Sequence, residues 1–338
     1  MKRFGFAIWG CGAISKIHAE AICSIDGARL VGAYDINGDA LKKFCVDFGI
    51  EAFRDIDTLL ESADIDAVCI CLPSGLHHEA ALRCIESGKN VVIEKPIALT
   101  SEEADDITKK AEKKGVFVTV ISQLRFSEAA RRVKDSVDSG KLGTITLGNA
   151  HMKYWRSDEY YETSKWRGTW KMDGGGALMN QGIHGVDLLQ YFMGKVVSVL
   201  AVAKTLVHKI ETEDTLTAVL EYENGAVGTI QATTSVYPGY NRRIEICGSK
   251  GSVVLCEDRI EICDVEGEEK PKTEDRLYST AGSPMNMDSN LHALQLKSFI
   301  EDVITKRTPL LDAREGKKSV DIICAIYKSA QTGKKIYL

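Results

Sequence analysis

Asn180 and His184 stand four residues apart in the run DGGGALMNQGIHGVDLL, from Asp173 to Leu189. Residues at that spacing on a helix sit one above the other, so the run predicts an amide and an imidazole facing the same space. Leu178, Gly182, Val186 and Leu189 form a different stripe, apolar or small, suited to packing on a sheet. Gly174, Gly175 and Gly176 take away side-chain bulk where a ligand backbone or ring would approach. An imidazole with an unperturbed pKa near ~6.5 can take up and return a proton at neutral pH. The constellation therefore predicts acid–base catalysis by His184, with Asn180 as a hydrogen-bonding contact to substrate. An amide can orient a hydroxyl or an imidazole, but it cannot accept a proton. Asp187, one turn further on, is expected to satisfy backbone or a cationic partner.

A second constellation opens the chain. The apolar run FGFAIWG ends in Gly10-Cys11-Gly12-Ala13-Ile14-Ser15, the pattern G-x-G-x-x with serine where a third glycine often stands. Such glycines allow a tight turn and let a pyrophosphate sit on the N-terminus of the following helix, where free N–H groups point outward. Asp35 closes the second apolar run, where an acid binds the ribose hydroxyls of a dinucleotide. Its carboxylate repels a 2′-phosphate, and Ile36 and Asn37 bring no arginine to hold one, so NAD is expected over NADP. Gly10, Gly12, Ala13, Ile14 and Asp35 are the cofactor-binding candidates of this turn.

Two later runs end in Leu72-Pro73-Ser74-Gly75-Leu76-His77 and in Glu94-Lys95-Pro96. Ligands of open α/β sheets collect at the carboxyl ends of the strands. A lysine beside a nicotinamide and a substrate hydroxyl would lower the hydroxyl's pKa, which makes Lys95 the second catalytic candidate. Pro73, His77, Glu94 and Lys95 complete the expected cofactor-binding set. His18, inside the first helix, is expected to be structural.

The elements needed to position these residues are legible. FGFAIWG, RLVGAYD, DAVCICLP, NVVIEKP and VFVTVIS read as strands buried on both faces. Helix-like segments alternate with them at 14–25, 39–48, 56–62, 76–87 and 101–113. Strict alternation predicts a doubly wound parallel sheet over residues 1–122. After residue 123 the pattern changes to successive strands: TITLGNAHMKYW, VVSVLAVAKTLV, DTLTAVLEYE, AVGTIQATTS, RRIEICGS, GSVVLCE and RIEICDV. Glu223-Asn224-Gly225 and Gly248-Ser249-Lys250-Gly251 read as hairpin turns. Amphipathic segments at 291–304 and 313–331 follow. The expected division is a nucleotide-binding domain, 1–122, and an α+β substrate-binding and oligomerisation domain, 123–338, whose C-terminal helices are candidates to pack back on the first.

Composition narrows the class. At 338 residues, two domains are the natural expectation. Hydrophobic residues at 44% and charged residues at 27% fit a soluble globular chain. A net charge of -5 argues against nucleic acid as a partner, and no apolar run is long enough to span a membrane. Ten cysteines include no C-x-x-C pair. With the start MKRFGFAIWG running straight into a strand, they read as free thiols of a reduced, cytoplasmic protein rather than a disulfide or zinc framework.

Gly10-x-Gly12 with His18, Pro73 with His77, Glu94-Lys95-Pro96, and GGG-x-L-x-N-x-G-x-H-x-x-D from Gly174 to Asp187 together resemble the Gfo/Idh/MocA oxidoreductases. Glucose–fructose oxidoreductase and inositol dehydrogenase are members of that family. The resemblance runs to the ending PLLDAREGKKSVDIICAIYKSAQTGKKIYL. It implies a Rossmann domain followed by a domain with a large open-faced, mostly antiparallel sheet. It implies hydride transfer between nicotinamide and a ring carbinol of a sugar or cyclitol, with Lys95 and His184 flanking that carbon. Asn180 departs from inositol dehydrogenase-like members, which carry Asp there, so a His–Asp relay at that position is lost. An uncovered sheet face needs a partner, which predicts a homodimer or homotetramer.

The segment 151–173, HMKYWRSDEYYETSKWRGTWKMD, concentrates aromatic and basic residues. Aromatic faces stack on sugar C–H surfaces, and Arg156 and Arg167 can fork onto carboxylate or phosphate. Trp166 and Arg167, with Arg125 after the last strand of the first domain, are the substrate-binding candidates beside Asn180. A uronic acid or a nucleotide-linked sugar is the expected substrate class, with neutral hexoses and inositols open. Two other readings stand beside the dehydrogenase: an NAD-dependent glycosidase working by transient oxidation, and a non-enzymatic cofactor sensor.

Overall fold

The computed structural model describes residues 3–267 and 289–338. In chain order the elements are β1 (Phe4–Trp9), α1 (Ala13–Ser24), β2 (Ala28–Tyr34), α2 (Gly38–Phe48), β3 (Glu51–Ala52), α3 (Ile56–Glu61), β4 (Ala67–Ile70), α4 (His77–Glu86), β5 (Asn90–Ile93), α5 (Ser101–Lys114) and β6 (Val118–Val120). There follow α6 (Glu128–Asp138), β7 (Ile145–Lys153), α7 (Asp158–Glu162), α8 (Trp170–Asp173), α9 (Ile183–Met193), β8 (Val196–Lys204), β9 (Thr215–Tyr222) and β10 (Val227–Thr233). Last come β11 (Arg243–Gly248), β12 (Gly251–Cys256), β13 (Arg259–Val265), α10 (Ser289–Thr305), α11 (Ala313–Thr332) and β14 (Ile336–Tyr337). The chain divides into two units: Met1–Gln123 with Asp288–Lys317, and Leu124–Met287 with Lys318–Leu338.

The first unit is a six-stranded parallel sheet in the order β3-β2-β1-β4-β5-β6. β1 and β4 are buried along their whole length, as continuous apolar runs in a doubly covered sheet must be. Side chains cap the starts of α2, α3 and α5. Asn37 accepts from the Asp39 and Ala40 amides, Asp55 from Thr58, and Thr100 from Glu103. Helix α10 groups with this unit. Leu296, Phe299 and Ile300 are buried with Ala19, Ile22 and Ile121, and each such side chain contributes about 1.5–3 kcal/mol. The Gln295 amide also donates to the Val120 carbonyl at 2.8 Å, and its oxygen accepts from the Ser122 amide at 3.1 Å. The polar groups at the end of edge strand β6 are thereby satisfied.

The second unit is an eight-stranded sheet ordered β13-β12-β11-β7-β10-β9-β8-β14. Only the β7–β10 pairing is parallel. One face carries α9 over β7 and β11, with α6 beside it over β12. Strand β9 alternates accordingly: Leu216, Ala218, Leu220 and Tyr222 are buried, while Thr217 and Val219 are exposed. No helix among the described residues is long and apolar enough to cross a membrane.

Candidate active site

In the first unit the turn after β1 is built from both sides. Gly10 has φ +101°, and a Cβ there would lie 2.6 Å from the Cys71 carbonyl oxygen, so only glycine fits between the ends of β1 and β4. Gly12 is a glycine for another reason: a Cβ on it meets no atom within 4 Å. It opens α1 without any side-chain cap and without an acid in the first turn, in contrast to α2, α3 and α5. The leading amides of α1 thus face open space beside Gly12 and Ala13. Asp35 accepts from the Cys11 amide at 2.7 Å and from the Asn37 amide at 2.7 Å, which ties the end of β2 to the glycine turn. An uncapped helix start, room where a side chain would intrude, and a carboxylate at the next strand end suit the pyrophosphate and ribose of NAD.

The ends of β4 and β5 carry the other candidates. Pro73 stands half-buried before the short turn into α4. Across residues 91–98 every position is buried except Lys95. The His77 ring is enclosed by the protein. It is 1% exposed, with Nδ1 2.7 Å from the Pro96 carbonyl and Nε2 2.9 Å from the Leu72 carbonyl. Burial pushes its pKa down, against the pull of the two carbonyls and of Glu94. Glu94 also turns inward, with its carboxylate taken by His18 at 2.7 Å and by the Lys95 amide at 3.2 Å. His18 is fully buried inside α1.

In the second unit the helix start after the three glycines is a π-helical turn, Ala177–Gly182, which passes into α9 at Ile183. Asn180 lies in the π turn and His184 in α9, so the simple one-above-the-other stacking expected for residues four apart is altered. Both keep partial exposure: within residues 175–190 only Asn180, Gln181 and His184 are not buried. π turns of this kind often accompany functional side chains. The glycines, too, serve the protein rather than a ligand. A Cβ on Gly175 would sit 2.1 Å from the Tyr327 hydroxyl, and one on Gly176 would sit 2.0 Å from the Glu213 carbonyl oxygen. The buried Glu213 carboxylate accepts from the Gly176 and Leu178 amides at 3.0 and 2.8 Å and from the Tyr327 hydroxyl at 2.9 Å. Burial pushes the Glu213 carboxyl up despite these donors.

Asn180 has its own support. Its amide donates to Asp173 at 2.5 Å, and Gln181 donates to its oxygen at 3.2 Å. Asp173 is 1% exposed and also accepts from the Gly168 amide at 2.9 Å. Gln181 continues the chain of bonds to the Tyr160 hydroxyl at 2.7 Å and accepts from Arg156 at 2.7 Å. Arg156 is therefore committed to Gln181 and to the Trp155 carbonyl. Arg167 lies 4.2 Å over the Tyr160 ring and 5.6 Å from Trp166, and it donates to the Tyr160 carbonyl. Among the described residues its buried Nε–H finds no acceptor. Arg125 turns out to be spoken for: its guanidinium forks onto Asp187 at 2.9 and 2.6 Å and stacks 4.5 Å over Tyr191. Asp187 thus has the cationic partner expected of it.

Glu213 and Tyr327 had no signal in the sequence, because both are remote from the residues they hold. Gln181 did, as a polar residue between Asn180 and His184. The glycine turn with Asp35, and the parallel sheet that carries it, have the form of a dinucleotide-binding site of the Rossmann class. When bound, NAD supplies the hydride acceptor.

Residues 4–122 match the oxidoreductase family with NAD-binding Rossmann fold, and residues 130–254 match the GFO/IDH/MocA C-terminal domain. The chain belongs to the Gfo/Idh/MocA family. It is similar to the WlbA dehydrogenase of Bordetella pertussis, solved in complex with NADH and UDP-GlcNAcA. Their identity is 34%, the TM-score is 0.89, and the match covers 99% of each chain. The WlbA dehydrogenase of Chromobacterium violaceum, also with NADH and UDP-GlcNAcA, is 32% identical at a TM-score of 0.89 over 100% of this chain and 96% of its own. Myo-inositol 2-dehydrogenase of Thermotoga maritima is 28% identical over 97% of both chains. The protein is an NAD-binding oxidoreductase. The glycosidase and sensor readings are not favoured.

Proposed function

We propose that the substrate is a nucleotide-linked sugar acid, oxidised at a ring hydroxyl. The observation that carries this reading is Arg167, a half-buried guanidinium with an Nε–H that no described residue accepts, set on Tyr160 and Trp166. A carboxylate or phosphate supplies the missing acceptor in a fork geometry. The UDP-GlcNAcA in the WlbA complexes is an anion of this kind. In the same reading Asn180 and Trp166 contact the sugar, and Arg125 does not. His184 takes the hydroxyl proton as hydride leaves, and Lys95 favours the alkoxide form of that hydroxyl. Gly10, Gly12, Ala13, Ile14 and Asp35 hold NAD, with Pro73 lining the cofactor. Asp35 sets the preference over NADP. A role in NAD-linked sugar metabolism supports a cytoplasmic location.

The test is nicotinamide absorbance with NAD⁺ or NADP⁺ and a panel of inositols, hexoses, uronic acids, UDP-sugars and UDP-sugar acids. Reduction of NAD⁺ in preference to NADP⁺, and only with the UDP-sugar acids, is expected. Arg167→Ala raises their KM about 10–100-fold, the loss of one hydrogen bond to a charged group. Reduction with a neutral cyclitol alone would sink the proposal.

A sheet face that no helix covers among the described residues supports a homodimer or homotetramer. Exposed Leu200 pairs across strands with exposed Val219, and exposed Val227 with exposed Leu147. This leaves apolar side chains on a face that alternation would otherwise make polar. Light scattering should give at least twice the 37.1 kDa chain mass, with Val219→Glu shifting it to the monomer. A monomeric wild type at micromolar concentration refutes this.

A further inference from the structure

Three buried ionisable side chains from three elements of the first unit meet at one point. His18 on α1 is 0% exposed, Glu94 after β5 is 5% exposed, and His292 on α10 is 1% exposed. The Nε2 atoms of His18 and His292 lie 2.7 and 3.8 Å from the same Glu94 oxygen, and the two rings meet edge-on at 5.4 Å. The other carboxylate oxygen accepts the Lys95 amide. We propose that His18 and His292 are positioning residues for Lys95, acting through the carboxylate of Glu94.

The tautomer follows from the bonding. His18 Nδ1 has no partner among the described residues, so Nε2 carries the proton and donates to the carboxylate. Burial pushes the Glu94 carboxyl up, but the contacts with His18 and His292 outweigh it and hold the group well below the usual carboxylate range. An ionised carboxylate with one oxygen on His18 and the other on the Lys95 amide cannot rotate. On the far side of Lys95, the Pro96 carbonyl is held by His77 at 2.7 Å. The backbone of Lys95 is thereby fixed before and after its Cα, and its side chain is the only one in 91–98 that is not buried. Stability alone does not ask for this arrangement, since apolar residues of similar volume often serve a core as well as a buried ion pair does. A lysine that must meet a substrate hydroxyl does ask for it, because a 1 Å misplacement can cost about 10²-fold in rate.

The same three side chains offer a metal donor set, with ligand atoms within 4.8 Å of one another. The 2.7 Å contact between His18 and Glu94 is a hydrogen bond, shorter than the edge of about 3.3 Å that zinc bonds of 2.0–2.1 Å give a tetrahedral site. The geometry therefore favours a proton between these two groups over an ion.

Hydrogen exchange at the Lys95 amide reads the coupling with or without a known substrate. It separates this inference from the catalytic role of Lys95 on which it rests. Glu94→Gln is close in shape but has a single acceptor oxygen, so it cannot serve both His18 and Lys95. The Lys95 amide then exchanges about tenfold faster, while β1 keeps its protection. His18→Leu has the same local effect, and His18→Gln, which keeps a donor near Nε2, restores protection. With a substrate in hand, kcat falls about 10–100-fold in Glu94→Gln while NADH affinity holds. If His18→Leu fails to fold, Glu94→Gln decides. Wild-type protection of Lys95 in folded Glu94→Gln would overturn the proposal. So would equal loss in the leucine and glutamine variants of His18, or one equivalent of transition metal that leaves with His18→Gln.

Discussion

His184→Ala lowers kcat by about 10²–10⁴-fold, the span expected when a positioned acid–base group is removed, and leaves NADH affinity at the wild-type level. The two halves of that expectation come from different parts of the chain. The determinants suited to NAD, Gly12 and Asp35, are set by β1, α1 and β2 in the first unit. His184 is held by α9 in the second unit, in a stretch where only Asn180 and Gln181 share its partial exposure. Neither amide can take a proton. Asp173, the nearby carboxylate, is committed to Asn180 and to the Gly168 amide. Alanine at 184 therefore leaves hydrogen-bonding groups but no replacement imidazole, and added imidazole should recover part of the rate. Turnover at the wild-type level in His184→Ala would show that the proton goes elsewhere. A matching loss of NADH affinity would show that the substitution had disturbed the fold instead.

The parts of this site that were readable in the sequence are those set by local pattern. The glycine turn, Asp35 and the β-strand ends carrying Pro73 and Lys95 follow from alternating apolar runs and turn chemistry. The first five helices lie within a residue or so of their expected bounds, because caps such as Asn37 and Thr100 mark them. The π turn at Ala177–Gly182 was not readable. Periodicity cannot announce an extra residue in a turn when the cause is Glu213, which takes the Gly176 and Leu178 amides from a distant loop. The protein partners of His77 and Arg125 were hidden for a related reason. Their types suit ligands, but their partners, the Leu72 and Pro96 carbonyls and Asp187, appear only in three dimensions. An amphipathic pattern predicts a helix but not the surface on which it lies, so which of the two C-terminal helices joins the first unit was open.

Gly12→Ala and Gly176→Ala separate the two uses of glycine in this protein. At Gly12 a Cβ meets nothing within 4 Å, and φ is -76°, a conformation alanine adopts without strain. Stability should stay as it is, while the methyl group occupies the space over the start of α1. The Kd for NADH rises at least about tenfold, or 1.4 kcal/mol. At Gly176 the added Cβ would lie 2.0 Å from the Glu213 carbonyl oxygen and 2.7 Å from Thr212 Oγ1. The first contact is backbone that already accepts the Ala177 amide at 2.9 Å, so it has little freedom to retreat. The helix start must move away from Glu213, and the buried carboxylate then loses donors it needs. Overpacking of this kind costs about 3 kcal/mol, or about 6–12 °C in the unfolding temperature of a unit this size. Because Asn180 and His184 follow directly, turnover falls with it, yet the folded protein should still bind NADH at wild-type affinity through its intact glycine turn. Wild-type melting and turnover in Gly176→Ala would mean that Glu213 does not grip this helix. An NADH affinity unchanged in Gly12→Ala would mean that the cofactor does not lie over α1.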